Sequence, residues 1–187
     1  MKKISILMTA VALTAVVSML VSFRATTKHT FADSKTQMIA DWERAKAYTK
    51  EYIDASNDET IVSKPTAEMR TFGQQMLHLS EANYGLGSTA TGKKSPVNWG
   101  DLEKASDKYK TKAELSKAVM DSYDFVIAGI KEMDDAKWGE TVKFFDKFEM
   151  SRAVAIAKTF EHQTHHRGQT TVYLRLKGVT PPQEKLF

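Results

Sequence analysis

The sequence predicts an all-α fold arranged as a helix bundle, and three observations carry that expectation. Beyond residue 32, apolar residues recur at spacings of three and four, the period of an amphipathic helix. No run of alternating β-branched residues is long enough to argue for a sheet. Four such helical runs, each long and separated by polar turn formers, make a four-helix bundle the economical way to bury their apolar stripes.

The elements follow in order. A first helix is expected from an N-cap at Asp33 or Ser34, with Met38, Ile39, Trp42, Ala45, Tyr48, Tyr52 and Ile53 on one face. The stretch "SNDETIVSKP" breaks that pattern. A second helix is expected over residues 65–84, with Pro65 in its first turn and Met69, Phe72, Met76, Leu79 and Asn83 along one stripe. The segment "GLGSTATGKKSPVNWG" reads as the longest loop, a connector or a lid beside the helix that bears His78. A third helix over residues 112–133 turns Leu115, Val119, Tyr123, Val126, Ile127 and Ile130 inward. The last is expected over residues 149–177, stopped by Gly178 before Pro181 and Pro182.

Residues 1–32 carry a different signal. Met1-Lys2-Lys3 leads into "ISILMTAVALTAVVSMLVSF", a charge-free apolar run, which is the pattern of an export segment. The run reaches the roughly 20 residues needed to span a bilayer, so it reads as a signal peptide or as a retained N-terminal membrane anchor. Residues 33–187 are then one domain, exported to the periplasm or anchored facing outward. The formal charge of +4 comes from Lys2, Lys3, Arg24 and Lys28 in this acid-free leader, and without them basic and acidic residues balance. A nucleic-acid grip needs a concentrated positive face, and none is visible. The chain has no cysteine, hence no disulfide framework and no lipid-attachment thiol.

The chemistry concentrates in "FEHQTHHRGQ", residues 160–169. His162 and His166 are four apart and share a helix face, a spacing with which two imidazoles can grip one ion. Extended, that face reads Ala155, Thr159, His162, His166, Gln169 and Tyr173. An i, i+4 histidine pair can equally face solvent. His165 is turned about 100° from His166 and reads as a bystander, while His29 sits beside the leader. The periodicity of the second helix permits His78 at the core edge, on a flank with Gln74, Gln75 and Ala82, without compelling it. Glu81, one turn from His78, and Glu161, beside His162, are the candidates for a general base.

The segment "FEHQTHHRGQTTVYLRLKGVTPP" closely resembles the C-terminal signature of the DinB family, the DinB/YfiT-like metalloenzymes. The matching elements are the His162 and His166 pair, "RGQ", "YLRLKG" and the closing Pro181-Pro182. "MLHLSEANY" is similar to the family's second helix. The resemblance implies a four-helix bundle of the DinB/YfiT-like type, commonly a homodimer, in which His78, His162 and His166 hold a divalent ion. Three histidines leave coordination positions open for water or a substrate atom. Zinc or nickel suits such a set best, and iron is compatible. Implied with it is a metal-dependent enzyme, hydrolase-like or thiol-transferase-like, acting on a small-molecule substrate. The alternative is a metal-binding or stress-response protein without turnover. Gly168 is expected to permit close helix approach, Arg167 to anchor a neighbouring helix, and Gln169 to orient a ligand or meet substrate. No nucleic acid is implied, and a membrane only through the leader.

Overall fold

The computed structural model describes residues 31–187. The apolar N-terminal run expected to be an export segment lies outside these residues. Among the described residues no helix is long and apolar enough to cross a membrane.

The described residues are mainly helical, with four long helices among them: α1 (Phe31–Ala55), α3 (Phe72–Thr91), α5 (Lys112–Glu132) and α6 (Arg152–Leu176). Two short helices interrupt them, α2 (Asp58–Val62) and α4 (Asp101–Lys104). A two-stranded antiparallel hairpin, β1 (Thr141–Phe144) and β2 (Phe148–Ser151), precedes α6 in the register Thr141 opposite Ser151. That hairpin departs from the all-helical expectation.

The predicted stripes form the core. Trp42, Ala45, Tyr48, Tyr52 and Ile53 of α1 are buried, as are all six inward residues expected on α5. Trp42 meets the rings of Tyr123 and Phe160 edge-on at 5.7 and 5.5 Å, tying α1 to α5 and α6.

The second long helix is displaced from its expected span. It starts at Phe72 because Thr71 and Gln74 form a reciprocal capping box, in which the Gln74 N–H donates to Thr71 Oγ1 and the Thr71 N–H to Gln74 Oε1. Pro65 and the half-exposed Met69 therefore lie in a loop. The break before it contains α2, capped by the Asn57 side chain on the Thr60 N–H.

At its other end α3 runs through "GLGSTAT", expected as loop, and stops at Gly92 with a left-handed φ of 82°. The internal glycines are there for contact. A Cβ on Gly87 would lie 2.8 Å from Val126 Cγ2, and one on Gly85 2.8 Å from the Trp99 ring. The last helix ends as expected: the Val179 N–H reaches Leu174 O and the Gly178 N–H reaches Arg175 O, with Gly178 at φ 71°. The first helix begins at Phe31, ahead of the expected caps.

Candidate metal centre

The helices α3 and α6 bring together the three predicted histidines, which come from positions 78, 162 and 166. Ring centroids lie 5.4 Å apart for His78 and His162, 4.6 Å for His78 and His166, and 4.4 Å for His162 and His166. One ring nitrogen from each falls within 4.8 Å of those of the other two. The i, i+4 pair faces inward: His166 is buried and His162 partly so.

The surroundings prepare His162 and His166 as neutral donors. Burial pushes His162 down to about 4, reinforced by His78, His165 and Arg70. Burial likewise pushes His166 to about 3, with His162, His78, His165 and Arg70 adding to it. The Gln75 Oε1 atom lies 3.0 Å from His166 Nδ1. A carbonyl oxygen only accepts, so Nδ1 carries the proton and Nε2 keeps its lone pair. Gln75 Nε2 donates to Gln169 Oε1, and Gln169 Nε2 donates to His165 Nε2 at 2.8 Å. At His78, Glu103 Oε1 stands 2.5 Å from Nδ1, a close contact that does not meet the directional requirement of a hydrogen bond. His162 Nδ1 is buried without a hydrogen-bond partner among the described residues, and an orphan of that kind demands an explanation. Three imidazoles, two of them held neutral by burial and one with an orphaned nitrogen, fit a divalent ion.

The other candidates fare differently. His165 is exposed and outside the triad, though its ring lies 4.9 Å from His166. Glu161 is exposed and paired with Lys158 at 2.6 Å. Glu81 is buried, and its Oε1 accepts from the Leu102 and Glu103 N–H groups, capping α4. Arg167 anchors α6 to α1: Nη1 donates to Gln163 Oε1 at 2.9 Å and to Thr49 Oγ1 at 3.4 Å, and the guanidinium lies 4.5 Å from the Tyr48 ring centre. Gly168 does not serve close helix approach, because a Cβ there would meet nothing within 4 Å. Its position in the helix faces solvent.

Sequence reasoning missed Glu103 and Arg70, which reach the site across loops, and the role of Gln75. One signal for Gln75 was present: it precedes His78 by three residues as Gln169 follows His166 by three. The segment after α3 returns to the site and sets the half-exposed Trp99 edge-on to His78 at 6.3 Å.

The model of the DinB family matches residues 27–186. The chain belongs to the DinB family. Among solved structures, a DinB-like protein from Bacillus cereus is similar at 20% identity, over 79% of this chain and 95% of that one, with a TM-score of 0.63. A DinB-like protein from Bacillus subtilis is similar at 14% identity, over 81% and 96%, with a TM-score of 0.57. At such identities the likeness is one of fold. No curated protein matches the chain in sequence. Within this DinB-family chain the histidine triad joins the second and last of the four long helices.

Proposed function

We propose that this DinB-family chain is an exported, metal-dependent enzyme, hydrolase-like or thiol-transferase-like, whose four long helices form a bundle holding one divalent ion on His78, His162 and His166. The observation that carries the reading is the convergence of three imidazole nitrogens within 4.8 Å. The orphaned Nδ1 of His162 and the proton placement on His166 support it. An ion held by three imidazoles, with positions to spare, supplies Lewis acidity that acidifies a water or a thiol. The chain's own contribution is positional: Gln75 and Gln169 hold His166 in one tautomer, and Trp99 walls the His78 side. Zinc or nickel fits this donor set, and iron is compatible.

A second reading is a metal-holding DinB-family protein without turnover. It is favoured by the engagement of Glu81 in capping and of Glu161 with Lys158, which leaves neither carboxylate as a free base. One experiment separates the readings. The purified full chain is analysed for metal and assayed for thiol conjugation and for ester and amide hydrolysis, beside His162→Ala. We expect about one zinc or nickel per chain, lost in the variant together with activity. A chain that takes up neither metal overturns the site, and metal uptake without any activity selects the second reading. Homodimer formation and export belong to the same proposal, read by sedimentation and by the N-terminus of the protein recovered outside the cytoplasm.

A further inference from the structure

We infer that the short helix α4 is a clamp on the metal ligand His78: Glu103 fixes the Nδ1 side of its ring, and Glu81 holds the clamp closed. The inference rests on the proposed metal site.

Glu81 follows His78 by three residues on α3, so the two lie one turn apart. The Glu81 side chain is almost fully buried and has a specific task there. Its Oε1 accepts from the Leu102 N–H at 2.5 Å and the Glu103 N–H at 3.0 Å, at the N-terminal end of α4. That end has no side-chain cap of its own. Leu102 is buried beside it and pins the turn from below. Held this way, α4 carries Glu103 back over α3, where Oε1 stands 2.5 Å from His78 Nδ1. Arg70 braces the carboxylate, with Nη2 3.2 Å from Oε1 and Nε 3.3 Å from Oε2. Arg70 is itself tied to α6 through its carbonyl, which accepts from Tyr173 Oη at 2.8 Å. The path therefore leaves α3 at Glu81 and returns to α3 at His78.

Even without hydrogen-bond alignment, negative charge this close to Nδ1 favours the tautomer with the proton on that nitrogen and leaves the lone pair on Nε2 for an ion. Its charge also strengthens the imidazole as a donor. The contact is not an isolated surface pairing, because both side chains are mostly covered and Glu103 is held in place by the buried Glu81 carboxylate through its backbone contacts. His78, Glu81 and Glu103 also offer ligand atoms within 4.8 Å of one another. Because Glu81 Oε1 is committed to two backbone N–H groups, we assign this cluster to positioning and not to a second ion.

The test measures zinc affinity of the full chain by chelator competition for the unchanged protein, E103A, E103Q, E81Q and the E81Q/E103A double variant, with cobalt spectra at saturation. We expect E103A to weaken zinc binding roughly 10- to 100-fold, and E103Q less, since it keeps an acceptor and loses the charge. The saturated cobalt spectrum of E103A should match the unchanged protein, because the imidazole ligands remain. E81Q acts through Glu103, so the double variant should bind no more weakly than E103A. If E81Q does not fold, the two Glu103 variants and the spectrum still decide. Zinc affinity of E103A within twofold of the unchanged protein overturns the clamp. So do additive losses in the double variant, or two ions per chain with one lost in E103A. A full chain that binds neither zinc nor cobalt brings down the metal site and the clamp together, whereas tight binding with E103A unmoved brings down the clamp alone.

Discussion

At the residue scale, the neutral imidazoles make a pH prediction. His162 and His166 titrate near 6.5 in an unfolded chain, but burial lowers them to about 4 and about 3 in the folded one. Between those values the unfolded state binds more protons, so stability rises with pH through the window. The metal-free protein should hold its full stability above about pH 6.5 and lose it progressively as pH falls toward 4. Thermal unfolding at several pH values checks this, with the His162→Gln/His166→Gln double variant as reference. A reference that loses just as much stability over the same window would sink the assignment to these two rings. Arg167 makes a second prediction. It is buried, has no carboxylate partner among the described residues, and is held by Gln163, Thr49 and the Tyr48 ring. Lysine cannot reproduce the planar fork or the stack, so Arg167→Lys should cost about 1–3 kcal/mol in urea unfolding. The histidine pair was legible because helical spacing alone puts 162 and 166 on one face. His78 was not legible from periodicity, since a flank position reads as core edge or surface alike, and only resemblance singled it out. Glu103 was illegible for a deeper reason: a carboxylate 25 residues downstream of His78 meets it only because α4 folds back.

At the element scale, the inward stripes of α1 and α5 were readable because a 3.6-residue period survives in composition alone. The ends of α3 were not. Its start depends on the Thr71 and Gln74 capping box, which competed with a proline six residues earlier that looked like a first-turn residue. Its extension through Gly85 and Gly87 contradicts the ordinary reading of glycine as loop, and close packing resolves the contradiction. The hairpin was missed because its strands have four residues each and its turn uses Phe145 and Asp146, both with positive φ, where Asn-Gly would have announced it. The contact of α3 with α5 supplies the prediction at this scale. A Cβ on Gly129 would lie 2.6 Å from Thr91 Oγ1 and 2.9 Å from Thr91 Cβ, far inside normal contact. Gly129→Ala should therefore destabilise the fold by about 1–3 kcal/mol, and Thr91→Ala in the same chain should recover part of the loss. Denaturant midpoints of the single and double variants decide, and a neutral Gly129→Ala would mean that the two helices separate easily here.

At the scale of the whole molecule, the proposed site joins two helices 84 positions apart in sequence, counted from His78 to His162. An ion bound only by the folded arrangement must stabilise that arrangement, because the unfolded chain does not hold the three rings together. At free zinc one hundred times the dissociation constant, the gain is about 2.7 kcal/mol. For a domain of this size that corresponds to a rise in Tm of roughly 5–10 °C. The same zinc should leave His162→Ala almost unmoved, since the two imidazoles left to it rarely hold an ion tightly. Arg167→Lys should respond fully despite its lower starting point, because its defect lies in the α1 to α6 contact and not in the ligands. Calorimetric scans of the three proteins with and without zinc separate loss of the site from loss of the fold. Equal shifts in all three would place the zinc somewhere other than the triad, and no shift in any would remove the ion from the molecule altogether.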